Sequence, residues 1–293
     1  MSAATETMSE AGTLARVLVK HVRDAFVDDA TVDAQWRALN FAARPDLARA
    51  TDEYDRFVGI LRSAGAAVEF LPADATTTLD SIYARDASVI SPRGVILCTM
   101  GKPMRRAEAA AQERACTALG LPIAGRITPP GTLEGGDLIW LDDTTAAVGR
   151  GYRTNGEGIR QLREILGAGV EVREVPLPHW RGDQDVMHLM SLISPVDRDA
   201  AAVYSPLLPV VFRQWLLDRG LRLIEVPDQE FETMGTNVLA LAPGRCLVLR
   251  GNPLTRAALE RAGLDVIDYA GDEISVKGAG GPTCLTRPLA RRA

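Results

Sequence analysis

The chain has 293 residues, 46% of them hydrophobic and 24% charged, with a formal net charge of −5. This is the balance of a soluble globular protein, long enough for one large domain or two medium ones. Acids and bases are interspersed, so no basic run favours nucleic acid or an anionic membrane, and no apolar stretch approaches the ~18–20 residues of a membrane span. The four cysteines are dispersed without a Cys-x-x-Cys pair, and the three histidines (His21, His179 and His188) form no cluster with them. A reduced, cytoplasmic protein without metal or cofactor is expected.

In chain order, residues 1–13 lack a basic-then-apolar signal pattern and read as a flexible leader. Residues 14–293 read as one domain. LARVLVK (14–20) is a first apolar strand. Residues 28–46 show no clean strand pattern, and either fold over a pocket mouth or form a surface connection with some helix. Then one unit recurs: an amphipathic helix ending at a glycine, followed by an apolar strand. The glycines are Gly65, Gly120, Gly167, Gly220 and Gly263, at spacings of 55, 47, 53 and 43 residues. Tyr54, Phe57, Val58 and Leu61 in the first helix, and Ile159, Leu162, Ile165 and Leu166 in the third, follow the i, i+3, i+4 pattern of a buried face, and the glycines suit a left-handed cap. Between helices lie pairs of short apolar runs: SIYARDASVI with GVILCTM, GGDLIWL with TAAVGRG, HLMSLISPV with AAAVYSP, and GTNVLALAPG with RCLVLRG. A fifth pair requires the last strand, near Cys284, to meet the first. Five repeats of strand, strand, helix, strand predict a circular array built as one domain. A two-domain dinucleotide-binding arrangement is disfavoured, because no Gly-x-Gly-x-x-Gly opens a helix after a strand.

In such a ring the loops between repeats converge on the axis. TLDSIYARD supplies Asp80, Arg85 and Asp86; GKPMRRAE supplies Arg105 and Arg106; TLEGGD supplies Glu134 and Asp137; RGYRTN supplies Arg150 and Arg153; DVMHLMS supplies His188; and GAGGPTC supplies Cys284. Singly, each has a plain reading: loop aspartates turn chains, Arg105 and Arg106 suit a solvated helix start, Arg153 braces a helix, His188 opens an apolar run, and a free cysteine is most often buried. His179 reads as an exposed loop residue. Glu134, before two glycines, sits on a tight bend where backbone approaches a ligand. Together the set suits one chemistry: a thiol that ionises near a cation, a histidine to carry protons, carboxylates that need a cationic guest, and arginines that want a carboxylate. Arginine and its derivatives fit.

At these residues the chain resembles the guanidino-modifying pentein superfamily, and within it the dimethylarginine dimethylaminohydrolases, through TLEGGD, the RTN of GYRTN, HLMS, PMRRAE and a cysteine near the C-terminus. The resemblance implies an α/β fold, a five-bladed α/β-propeller of ββαβ modules with pseudo-five-fold symmetry. It implies Cys284 as the nucleophile that forms a covalent thiouronium, His188 as the proton carrier and Glu134 as the carboxylate on the guanidinium. Asp80 and Asp86 would grip the guanidinium, Arg105 and Arg153 would hold the α-carboxylate, and Asp137 would be structural. Arg85 departs from the pattern, standing where the family usually carries an acid. Met190 departs too, standing where related deiminases and amidinotransferases place an aspartate. A thioether there would suit an N-substituted guanidine, provided Met190 faces the pocket. The expected partner is a small guanidine. Amidino transfer, deimination of free arginine and a non-catalytic binding ring remain as alternatives, and no sequence feature fixes a homodimer.

Overall fold

The computed structural model describes residues 5–183 and 187–293. Five small sheets follow one plan. In each, a first strand pairs antiparallel with a second, and a helix carries the chain back to a third strand parallel to the second. Module two uses strands Ser88–Ser91, Gly94–Leu97 and Ile123–Arg126 with helix Glu108–Ala118. Module three uses Leu138–Trp140, Thr145–Arg150 and Glu171–Pro176 with helix Gly156–Leu166. Module four uses Ile193–Asp197, Ala200–Val203 and Arg222–Glu225 with helix Val210–Asp218. Module five uses Leu239–Ala242, Arg245–Leu249 and Asp265–Tyr269 with helix Pro253–Arg261. Module one is completed from both ends of the chain: Arg287–Arg292 pairs antiparallel with Thr13–Val19, which runs parallel to Ala67–Phe70 after helix Leu47–Ser63.

The repeat read from the sequence is therefore the architectural unit, and the fold is a five-bladed α/β-propeller. All five helix-terminating glycines have positive φ, between +72° and +93°. That conformation reverses the chain without the steric cost a Cβ would add. Tyr54, Phe57, Val58 and Leu61 all lie in one hydrophobic cluster, and Ile159, Leu162 and Leu166 join Val148 and Leu133 in another. First strands of neighbouring modules touch, Ile193–Asp197 with Leu239–Ala242 and Arg287–Arg292 with Ser88–Ser91. The segments leading into these strands thus come together at the centre.

Two expectations need correction or refinement. The described part of the leader is ordered: Glu6–Thr7 pairs with Arg292 and Arg291 as an edge strand, and Glu10 is buried. A short strand with one long-range partner carries no periodicity, which is why the sequence reads as a tail. Residues 28–46 form a largely exposed connection with helix Asp29–Gln35, anchored where Gln35 accepts a hydrogen bond from the Leu79 amide and the Leu39 carbonyl accepts one from Lys102 Nζ at 3.1 Å. Among the described residues no helix is long and apolar enough to cross a membrane.

Candidate active site

Each module delivers one polar side chain just ahead of its first strand: Cys284 before Arg287–Arg292, Asp86 before Ser88–Ser91, Glu134 before Leu138–Trp140, His188 before Ile193–Asp197, and Asn237 before Leu239–Ala242. The symmetry explains how residues scattered over the sequence share one centre. It also exposes an omission. Asn237 was not read as functional, although GTN occupies the fifth module's equivalent position. It donates from Nδ2 to Cys284 Sγ at 3.3 Å, while its Oδ1 accepts from the Thr283 amide and hydroxyl at 3.0 and 2.8 Å. One amide thus fixes the turn and solvates the sulfur. Gly281 makes room for it, since a Cβ there would lie 2.5 Å from Asn237 Oδ1.

Cys284 is the partly exposed cysteine; Cys98, Cys116 and Cys246 are buried. Burial and the charge of Asp86 nevertheless raise its thiol above the ordinary value, against the lowering effect of Asn237 and neighbouring donors. The resting sulfur is therefore protonated, and an incoming cation is what would ionise it.

His188 and Glu134 are fully enclosed partners, 2.8 Å apart between Nε2 and Oε2. Burial alone would lower the imidazole pKa, but the carboxylates of Asp86, Asp137 and Glu134 outweigh it and raise the value to about 9. Glu134 is held well below the usual carboxylate range: burial opposes this, but the hydrogen bond and charge of His188 and the charges of Arg153 and Arg105 prevail. The pair is an imidazolium and a carboxylate at neutral pH. Asp86 Oδ1 lies 3.8 Å from His188 Nδ1. Gly136 permits this packing, because a Cβ there would sit 2.6 Å from His188 Nδ1 and 2.8 Å from Asp86 Oδ1. Gly136 therefore serves the approach of two side chains, whereas Gly135 lies against the Arg85 and Ser88 carbonyls, both within 2.5 Å of where a Cβ would stand. Asp137 accepts from Thr154 Oγ1 at 2.6 Å and the Leu189 amide at 3.0 Å, which ties the Glu134 turn to the His188 turn.

Asp80 is buried on the turn Leu79–Ile82, 2.6 Å from Lys102 Nζ. Lys102 also went unread; its amide donates to Glu134 Oε1 at 3.1 Å, so it links Asp80 to Glu134. Asp86, Glu134 and His188 bring ligand-type atoms within 4.8 Å of one another, a spacing a metal ion could use. Each is already engaged: Asp86 with Arg105, Glu134 with Arg153 and His188. These contacts make the cluster an ion-pair network, and the sequence shows no ligand cluster because its members come from different modules.

Three assignments change. Arg105 does not offer a free fork to a substrate carboxylate. It is buried, with Nε and Nη2 on Glu108 at 2.8 Å each, Nη1 on Asp86 at 2.6 Å, and Nη2 also near the Asp80 and Tyr83 carbonyls. Its neighbour Arg106 is the exposed one. Arg105 positions Asp86. Replacing it with methionine should leave two buried carboxylates without their cation, costing about 3–5 kcal/mol of stability. Its kcat/KM loss should be equal for a guanidine with an α-carboxylate and for agmatine, which has none; a carboxylate clamp would lose only with the former. Arg153 turns inward, Nη1 meeting the Glu134 oxygens at 3.1 and 3.3 Å. Met190 is 3% exposed and belongs to the hydrophobic cluster of Ile139, Leu192, Ile193 and Phe212. In a turn of three residues per revolution, His188 and Ser191 share a face and Met190 leaves on another; Ser191 Oγ accordingly accepts from the His188 amide. The thioether argument for an N-substituted guanidine fails at this residue.

Arg85 turns from the guanidinium site into the axis, where Nη1 meets Glu10 Oε1 at 3.0 Å and Nε donates to the Thr283 carbonyl at 3.1 Å. His179 is exposed and pairs with the Tyr152 hydroxyl, apart from this centre.

A family model described as N,N dimethylarginine dimethylhydrolase, eukaryotic, matches residues 27–291. The N(G),N(G)-dimethylarginine dimethylaminohydrolase of Streptomyces coelicolor is 32% identical over 244 residues, covering 81% of this chain and 84% of that protein. The arginine deiminase of Listeria welshimeri is 28% identical over 256 residues, covering 71% and 61%. Among solved structures, dimethylarginine dimethylaminohydrolase from Pseudomonas aeruginosa, a cysteine-to-serine mutant complexed with citrulline, superposes with a TM-score of 0.74 at 22% identity, covering 96% of this chain and 100% of that one. With its propeller of five modules and its family match over most of its length, this chain belongs to the dimethylarginine dimethylaminohydrolase family, hydrolases of guanidino C–N bonds.

Proposed function

We propose that this chain hydrolyses an N-methylated arginine to citrulline and methylamine or dimethylamine, through a covalent thiouronium on Cys284. The observation that carries the reading is the placement of a partly exposed thiol, held by Asn237, in the same inter-module ring of positions as the Asp86–His188–Glu134 cluster. The preference for a methylated nitrogen rests on the family match, not on any one side chain.

The free enzyme holds a neutral thiol and a protonated imidazole. A guanidinium between Asp80 and Asp86 adds the positive charge that favours the thiolate, and the thiol proton leaves to solvent. The thiolate attacks the guanidinium carbon; the C–N bond to the methylated nitrogen breaks as His188 gives its proton to the departing amine. Neutral His188 then takes a proton from water, whose oxygen attacks the thiouronium carbon and expels the Cys284 thiolate, leaving the ureido group of citrulline. Glu134 keeps His188 oriented and charged, as a paired carboxylate does.

The test is a panel of asymmetric dimethylarginine, monomethylarginine and free arginine, with and without glycine as acceptor amine. Citrulline release with kcat/KM highest for the methylated substrates supports the proposal. Equal or higher efficiency with free arginine would favour deimination, the reading that the arginine deiminase relative supports. Ornithine release dependent on an added acceptor would establish amidino transfer instead.

A further inference from the structure

Between the blades lies a second charged cluster that the chemistry at Cys284 does not use. Arg85, Arg287 and Arg291 are 1%, 4% and 4% exposed and surround a single carboxylate, Glu10. Arg85 Nη1 is 3.0 Å from Glu10 Oε1, and Arg291 Nη2 is 3.7 Å from Glu10 Oε2. Arg287 Nη2 donates to the Arg85 carbonyl, and Arg291 Nη1 to the Gly12 and Ala240 carbonyls. Four buried donor nitrogens have no hydrogen-bond partner among the described residues: Arg85 Nη2, Arg287 Nε, Arg291 Nε and Arg291 Nη2. A buried donor left unmade is costly, and guanidinium groups offer donors only.

The charge count points the same way. Three guanidinium groups face one carboxylate, and the other nearby acid, Asp86, is already engaged by Arg105. Burial and the repulsion of Arg85 push Arg287 down to about 9, only partly offset by Glu10. Burial likewise pushes Arg291 down to about 10, with Glu10 opposing and Arg85 adding to the shift. Glu10, Arg287 and Arg291 line a cavity of about 490 Å³ with Thr7, Met8 and Trp140, and none of Asp80, Glu134, His188 or Cys284 lines it. Its other acids, Glu6 and Asp143, are exposed, and Asp143 already accepts from Thr7 Oγ1 and the Met8 amide.

We propose that this cavity is a binding site for a small monovalent anion, a halide or a simple carboxylate, held by Arg287 and Arg291. Donor-only groups at two positions of one strand, carrying unbalanced positive charge and lining one cavity, form a receptor for an acceptor-only ligand. The site has a mechanical link to the thiol: Arg85 donates from Nε to the Thr283 carbonyl and from its amide to the Cys284 carbonyl, at 3.1 Å each.

The experiment uses the full chain with bromide and formate as probes. Crystals grown with bromide should show an anomalous peak in this cavity within hydrogen-bond distance of the Arg287 or Arg291 guanidinium; water there with no bromide would overturn the proposal. At fixed ionic strength, either anion should raise Tm saturably, by roughly 5–10 °C at a hundredfold excess over Kd. Bromide acting alone makes the ligand a halide, and formate acting alone makes it a carboxylate; a response linear in both, without saturation, would refute a site. Glu10→Gln removes the competing anion and should tighten bromide binding several-fold, whereas Arg287→Met should abolish saturation. An unchanged midpoint in Glu10→Gln would also count against it. Should either variant fail to fold, the wild-type crystal decides alone.

Discussion

Replacing Cys284 by serine should lower kcat/KM on the best guanidine substrate by roughly 10⁴-fold or more, the scale expected when a covalent nucleophile is removed. Serine keeps an oxygen near the Asn237 amide, so the turn of Thr283 and Cys284 should persist and Tm should change little. Hydroxyl ionisation lies far above that of a thiol, so even a bound guanidinium would not generate the nucleophile. Two measurements check this. Intact-mass spectrometry under turnover should find an adduct on the wild-type peptide containing Cys284 and none on the variant. Substrate binding to the variant should survive, since the carboxylates remain. Retained turnover in the variant, or an adduct on Cys98, Cys116 or Cys246, would remove the thiol from the mechanism.

The second large effect is expected at Glu134→Gln. This carboxylate holds both His188 and Arg153 in a buried space. Its loss leaves two cations without their partner, a change worth about 3–5 kcal/mol in stability. The sign of the pH effect follows from the shift. His188 is raised in the folded state to about 9, so its contribution to stability is fully present below its unfolded value near 6.5 and is lost as pH rises through about 9. In the proposed reaction the imidazolium protonates the departing amine, so wild-type kcat should fall on the alkaline side only as that proton leaves. In Glu134→Gln the alkaline limb should move to lower pH, and kcat should drop by about 10²–10³ at neutral pH, within the usual range for general acid–base assistance. An alkaline limb in the same place in both proteins would show that Glu134 does not set the charge of His188.

Much of the molecule was legible because its architecture is a repeat. Each blade needs a helix with one apolar face, a glycine to reverse the chain and an apolar strand, and these leave periodic marks that survive sequence divergence. The placing of Cys284, His188, Glu134 and Asp86 ahead of the first strands of their modules follows from the same repeat, whereas Asp80 arrives on a separate turn. What stayed hidden depends on a single rotation or a single distant partner. Nothing local says which of Arg105 and Arg106 turns inward; the buried Glu108 and Asp86 decide it. Met190 was placed by its offset from His188, but the phase of a three-residue turn sends it into the core. Glu6 and Thr7 have no pattern of their own and acquire structure only from Arg292 and Arg291. Asn237 lacks charge, so a search for ionisable groups passed over it, although comparison of equivalent positions among the repeats would have found it.

Closure of the first blade has a kinetic consequence. Arg291 donates to the Gly12 carbonyl across 279 positions of sequence, and the strand it belongs to is the last to leave the ribosome of all those in the ring. Four blades can form from neighbouring segments as they emerge, but module one must wait for Arg287–Arg292, with Thr13–Val19 lacking its antiparallel neighbour until that strand is made. Contacts this remote pay their loop entropy before they return any energy. The nascent chain therefore carries an open sheet edge until Arg287–Arg292 emerges, the state in which it is most exposed to pairing with a second nascent copy or to capture by a chaperone.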